Sequence, residues 1–234
     1  MPAVPKLIAD VFEPRFGRPC QVSQIDELDS QLRRVRFSGR ALQGLSFRPG
    51  QEIEFRVDAT AFRHYTPSAY DPVTGAFDVV FYLHDGGPGS RWAARLAVGD
   101  HARLLGPGGR FGLGYAATHV LVGDETCLGL FTALASSVAP AHRVTGAIEV
   151  ASGRDHWPAL AGAPVDAVHR TVRGAALRSW LAAAALDPRD MMMMIYVAGH
   201  ADTVGMLRDV LRAQGWPRSA IRTKPYWADG KRGL

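Results

Sequence analysis

Hydrophobic residues in the first half of the chain tend to recur at every second position. The runs QVSQIDEL (21–28), QLRRVRFSG (31–39), QEIEFRVD (51–58), FDVVFYLHD (77–85) and HARLLGPG (101–108) are rich in β-branched and aromatic residues, and Gly, Pro and Asp separate them. A period of two marks strands with one buried face. A series of such strands with little helix predicts a small antiparallel barrel, which closes on itself and leaves no open edge. One helical piece, SRWAARLAVGD (90–100), interrupts the series, with Ser90 placed to cap it and Gly99 to stop it.

The rhythm changes after residue 116. Apolar runs at 118–125, 143–152, 164–171, 191–200 and 220–227 alternate with helical spacing at 125–138, 174–186 and 201–215. Strands that alternate with helices build a parallel sheet with helical crossovers, and such strands read as continuous apolar runs because both faces are covered. The expected fold class is therefore β + α/β: an antiparallel barrel (1–116) followed by a parallel-sheet α/β domain (117–234), with the boundary near residues 114–117. The methionine quartet at 191–194 reads as part of a buried strand of flexible hydrophobes, not as a metal site.

Composition adds bounds. A chain of 234 residues with 47% hydrophobic and 21% charged residues suits two modest domains with proper cores. No apolar run is long enough to span a bilayer, and the proline-broken start lacks the apolar block of a secretory signal. Cys20 and Cys127 lie far apart and outside any metal-ligand spacing, so the expectation is a cytoplasmic protein with reduced thiols and no membrane association. The net charge is +5, and 24 of the 27 basic residues are arginine, since lysine occurs only at 6, 224 and 231. Arginine forks favour anionic ligands. No basic run with interleaved aromatics marks a nucleic-acid groove, so no nucleic-acid partner is expected.

Three stretches could carry chemistry. FRHYTPSAYD (62–71) puts Arg63 and Tyr65 on one face of a strand that Pro67 ends, which fits either surface decoration or a ligand face. HDGGPGSRWAARL (84–96) feeds a glycine-rich loop into a helix start; free N–H groups there suit a phosphate, and a surface turn would look the same. Trp92 is either a core anchor or a neighbour of that ligand. GDET (123–126) and AGHAD (198–202) fall at the carboxyl ends of parallel strands, where α/β sheets bind ligands. Neither is a G-x-G-x-x-G fingerprint: the first fits an ordinary acidic helix start and the second a turn capped by Asp202. Arg154, past the second parallel strand, is either a contact for a 2′-phosphate or a loop arginine.

Taken together, RHYT at 63–66, HDGGPGSRWAARLAVGD at 84–100, LLGPGG at 104–109, VGDETCLGL at 122–130, YVAGHADTVGMLRDVLRAQGW at 196–216 and YW at 226–227 resemble the siderophore-interacting proteins, ferric-siderophore reductases within the ferredoxin-reductase-like flavoenzymes. The resemblance spans nearly the whole chain in the expected order. It implies FAD bound across the barrel and a nicotinamide-binding second domain. Arg63 would hold the pyrophosphate or ribityl chain, Tyr65 would pack on the flavin ring, and Thr66 would bond near its N5. His84, Gly87, Gly89 and Ser90 would cradle the pyrophosphate, with Trp92 nearby. Gly123, Asp124, Glu125, Thr126, Gly199 and His200 would line the nicotinamide side. The chain departs from the pattern at Ser68, where the family often carries arginine, at a short loop after His84, and at His200, where the family has the glutamate of AGE.

The implied activity is NAD(P)H-dependent reduction of an anionic ferric siderophore by a monomer, with no catalytic acid–base residue because the cofactor carries the chemistry. NADH and NADPH are not distinguished. Arg222, Lys224 and Lys231 in the basic tail are candidates for steering the substrate, and each also fits a solvated surface. Trp227 reads as a packing residue. A general flavin or protein-partner reductase, and a flavin- or siderophore-binding protein without turnover, are the alternatives.

Overall fold

The computed structural model describes residues 5–84 and 86–231, without the side chains of residues 8 and 9; Asp85 of the glycine-rich loop and both chain ends lie outside the described residues. The chain divides into two compact units, one ending at Gly112 and the other beginning at Leu113.

In the first unit, helix α1 (Lys6–Phe16) precedes strands β1 (Arg18–Asp29), β2 (Leu32–Ser38), β3 (Glu52–Arg56), β4 (Phe62–Tyr65), β5 (Ala69–Asp71) and β6 (Ala76–Tyr82); helix α2 (Pro88–Arg95) then leads to β7 (His101–Gly108). The seven strands form one antiparallel sheet in the order β4-β3-β7-β1-β2-β6-β5. Its two edge strands, β4 and β5, are consecutive and joined by residues 66–68 alone. A link that short spans at most about 14 Å. The sheet must therefore curl into a barrel-like form until its edges are neighbours. The alternating positions of the sequence pattern fill it: Val35 and Phe37, Ile53 and Phe55, Phe77, Val79 and Phe81 are buried in one cluster with Val22 and Leu104.

One buried residue breaks that pattern for a reason. Arg33 is 6% exposed. Its guanidinium donates to the carbonyls of Ala93 (2.6 Å) and Leu96 (3.3 Å) and pairs with Glu27 at 2.6 Å. It thus meets orphan carbonyls at the end of α2 and complements the negative end of the helix dipole. This anchors α2, and hence its other end.

The second unit is a parallel sheet of β8 (Thr118–Asp124), β9 (Arg143–Val150), β10 (Asp166–His169), β11 (Met193–His200) and β12 (Ile221–Trp227), in the order β10-β9-β8-β11-β12. Helices α3 (Leu128–Ala135), α4 (Trp157–Ala161), α5 (Ala175–Ala183) and α6 (Ala201–Ala213) connect the strands. β8 and β11 are buried almost throughout, as continuous apolar runs require. Strand order reverses between these two, and a crevice opens at such a switch point beyond the strands' carboxyl ends. GDET and AGHAD both sit there.

Four expectations change. α1 was hidden by prolines, yet Pro5 stands just before it and Pro14 falls in its last turn. α2 begins at Pro88, not Ser90, because proline fits the first helical position, and it ends before Leu96, short of Gly99. α6 is capped by His200, while Asp202 lies in its first turn and makes no side-chain capping bond. The methionine quartet is only half strand: Met191 and Met192 are exposed in a turn where Asp190 accepts the Met192 N–H, and Met194 is buried. Cys20 and Cys127 are buried free thiols. Burial pushes Cys20 up to about 12. No described helix is long and apolar enough to cross a membrane.

Candidate functional site

In the first unit, β4 and the start of α2 meet. Strand alternation puts Arg63 and Tyr65 on one face, and that face lies against Gly89: a Cβ there would fall 2.5 Å from the Tyr65 hydroxyl and 3.2 Å from Arg63 Cγ. Only glycine permits this approach. Gly87 is the N-cap, no side chain caps the helix, and Pro88 has no N–H. The amides of Gly89 and Ser90 thus stand at the positive end of the helix dipole, beside the stem of Arg63, whose guanidinium donates to the Phe62 carbonyl at 2.7 Å. Such a donor set is chemically suited to a pyrophosphate, and Tyr65 adds an aromatic platform. The residues present fit FAD.

The loop itself is held by its own atoms. The Ser90 hydroxyl donates to the His84 carbonyl at 2.6 Å, Arg91 donates to the Gly86 carbonyl, and the His84 ring lies against Gly87. Tyr65 packs edge-on against Phe81 at 4.8 Å, and burial pushes its phenol up while Arg63 pulls it back. Trp92 stacks parallel to Phe37, with centroids 6.1 Å apart, and joins the barrel core. Of its two readings, the core anchor is what the geometry gives. Thr66 is buried at the turn. Ser68 is a staple: its N–H and hydroxyl both donate to the Asp78 carbonyl, at 2.8 and 3.2 Å, while the Asp78 carboxylate takes a bidentate pair from Arg36.

In the second unit, Asp124 is the hub of the carboxyl edge. It is 6% exposed. Oδ1 accepts from the Thr126 N–H (3.0 Å) and hydroxyl, and Oδ2 accepts from the His200 N–H (2.8 Å) and the Trp227 indole N–H (3.1 Å). Burial raises its pKa, and the Thr126 and His200 bonds oppose this. Gly199 has φ +113°, and a Cβ there would meet the carboxylate at 2.4 Å, so glycine is required twice over. Asp124 therefore faces inward and ties the ends of β8, β11 and β12 together, with Thr126 bonded to it. Gly123 is packed just as tightly, its space closed by the Ala198 carbonyl and Cys127.

Glu125 is equally engaged. It takes a bidentate pair from Arg170 (2.7 and 2.9 Å) and the Ala151 N–H, with Arg154 at 3.5 Å. Arg154 also lies over the Trp157 ring at 4.5 Å, so the candidate for a 2′-phosphate is already tethered. His200 is 1% exposed, its Nδ1 has no partner, and its Nε2 lies 3.1 Å from Arg173 and 3.5 Å from Asp229.

The tail candidates do not form one cluster. Arg222 and Lys224 share a face of β12 by alternation; Arg222 lies near Gly114, and Lys224 sits over the Tyr226 ring at 5.6 Å. Lys231 is exposed in a turn beyond the sheet. Trp227 packs within the carboxyl edge, 4.6 Å from His200.

Three residues there went unnoticed in the sequence: Glu149, Arg173 and Asp229. Glu149 lies one residue before the end of β9, beside Asp124 in register, and gives no signal of its own, but Arg173 follows the third parallel strand, and that position alone marks it.

Comparison with known proteins bears on the family. Residues 51–111 match the siderophore-interacting FAD-binding domain, and residues 116–230 match the siderophore-interacting protein domain. The mycobactin import ATP-binding/permease protein IrtA of Mycolicibacterium thermoresistibile is 28% identical over 194 residues, 78% of this chain and 20% of that one. NADH-cytochrome b5 reductase 1 of Cryptococcus neoformans is 30% identical over 105 residues, 43% of this chain and 36% of that one. This chain thus spans a fifth to about a third of the length of these relatives. The crystal structure of the siderophore-interacting protein SipS from Aeromonas hydrophila superposes with a TM-score of 0.77 at 25% identity, over 92% of this chain and 93% of that one. With both units matched in order, the chain belongs to the siderophore-interacting protein family.

Proposed function

We propose that the chain is an NAD(P)H-dependent flavoprotein reductase that takes ferric siderophores as substrates and works in the cytoplasm, where reduced nicotinamides are kept. One observation carries the reading: the Arg63–Tyr65 face of β4 opposes the uncapped start of α2 across Gly89. Bound there, FAD would supply the conversion of a two-electron hydride donor into one-electron delivery to iron(III). Iron(II) is held far more weakly by oxygen-donor chelators, so reduction releases the metal.

The chain's own residues bind and orient. Arg63 and the amides at 89 and 90 neutralise a pyrophosphate. Tyr65 offers a ring face, and Thr66 sits next to it. Asp124, fully bonded to its own chain, is a positioning residue for the nicotinamide edge, since it fixes the His200 backbone and the Trp227 ring together. Arg222 and Lys224, with Lys231 in the tail, supply positive charge suited to an anionic chelate.

The test is a ferrous-trap assay: purified protein with FAD, NADH or NADPH, a ferric siderophore and a chromogenic iron(II) chelator. Trapped iron that requires both protein and nicotinamide supports the reading. Turnover of soluble electron acceptors with no trapped iron would favour a general flavin reductase. FAD binding without any turnover would favour a binding protein.

A further inference from the structure

Ligands of a parallel sheet bind at its carboxyl edge, and their phosphates are usually met there by helix amides. In this chain acids stand at three of those helix starts. Asp124 accepts the Thr126 N–H at the turn into α3, and Glu149 accepts the Gly174 N–H at 2.9 Å at the start of α5. Asp202 adds negative charge to the first turn of α6. That negative charge makes side-chain cations the better partners for a dinucleotide pyrophosphate.

Among the described residues, Arg154, Arg170 and Arg173 stand at this edge, and the first two are committed to the buried Glu125. Arg173 differs. Its partner is Asp229, at 2.5 and 3.4 Å, in the turn that follows β12. Both members are open to solvent, with side chains 39% and 66% exposed, so this pair exchanges readily where the Glu125 pair does not. The guanidinium is held in place from behind: it lies 5.0 Å from the Trp227 ring, which Asp124 fixes. His200 sits beside it without taking its charge. An arginine can only donate, so in the 3.1 Å contact His200 Nε2 is the acceptor. A glutamate at this position, as in the family pattern, would put a second carboxylate beside Arg173. A histidine brings no carboxylate to the guanidinium and leaves it to whichever anion arrives.

We infer that Arg173 binds a phosphate of the nicotinamide dinucleotide, and that Asp229 is a tethered carboxylate that occupies it until the nucleotide displaces it. This rests on the nicotinamide-dependent reading above.

The test is titration calorimetry of the FAD-loaded full-length protein with ADP-ribose, which carries the pyrophosphate without the nicotinamide. Asp229→Asn removes the competitor and should tighten binding by about threefold or more, and Arg173→Gln should weaken it by about tenfold. In an Arg173→Gln background, Asp229→Asn should have no effect, and Arg173→Lys should recover part of the loss. Rising salt should narrow the difference between the wild-type and Asp229→Asn proteins. ADP-ribose binding that ignores both positions, or Asp229→Asn tightening it equally without Arg173, overturns the inference alone. Absence of ADP-ribose and NADH binding from a wild-type protein that holds FAD overturns the nicotinamide reading, and this inference with it.

Discussion

The indole N–H of Trp227 donates to the carboxylate of Asp124 at 3.1 Å, joining the end of β12 to the end of β8 across 103 residues of chain. The same oxygen accepts the His200 backbone N–H, so one carboxylate fixes three strand ends at the switch point of the sheet. Asp124→Asn would turn an amide group toward N–H donors on one side. We expect it to cost about 1–3 kcal/mol, because a buried donor is left unmet. The thermal midpoint should fall by about 2–4 °C per kcal/mol. Trp227→Phe removes a single bond and should cost less. An unchanged midpoint in Asp124→Asn would mean the carboxylate is not the hub.

Gly89 is predicted to be the most sensitive glycine of the loop at 84–90. Gly89→Ala puts a methyl group 2.5 Å from the Tyr65 hydroxyl, and overpacking of this kind costs about 1–3 kcal/mol. The clash is with the hydroxyl, so Tyr65→Phe should relieve it. Thermal melts of the two single variants and the double variant check this: additive losses in the double variant would contradict the contact.

Arg63→Ala should release FAD. Removal of a charge-assisted contact costs about 1.5–3 kcal/mol, which corresponds to a roughly 10- to 150-fold weaker Kd. Flavin fluorescence titration reads it directly, and an unchanged Kd would remove Arg63 from the site.

Glu149 carries a pH prediction. Burial raises its pKa from 4.5, against the pull of the Gly174 amide, and Oε1 has no partner. A carboxyl whose pKa is higher folded than unfolded favours the native state below the unfolded value, and that advantage is lost as pH rises through the folded value. Glu149→Gln cannot ionise, so it should escape the loss. Melting curves of the variant should lie higher relative to wild type at pH 7 than at pH 4. The reverse order would show that the charge is welcomed at the α5 terminus.

Much of the architecture was legible because it rests on local periodicity. Val35 and Phe37, or Phe77 and Val79, alternate visibly, and the switch to apolar runs such as VLVGD marks the parallel sheet. The Arg63–Tyr65 face was legible for the same reason, since alternation needs no partner to be seen. What the sequence hid was set by distant contacts. Nothing near Asp124 announces that its acceptors are filled from positions 200 and 227, and Arg173 meets Asp229 from 56 residues away. Ser90 looked like a cap because its type favours caps, but Pro88 starts the helix earlier and turns the hydroxyl back to His84. The half-exposed methionines misled because composition cannot reveal that the Asp190 turn delays the strand until Met193.

The most direct test of a flavin that relays electrons from nicotinamide to chelated iron is the flavin's own visible absorbance, followed without oxygen through two additions. NADH or NADPH should bleach the oxidised band of the FAD-loaded protein, and a ferric siderophore added next should restore it. A band that neither nucleotide bleaches, or a bleached band that no ferric chelate restores, would contradict the account.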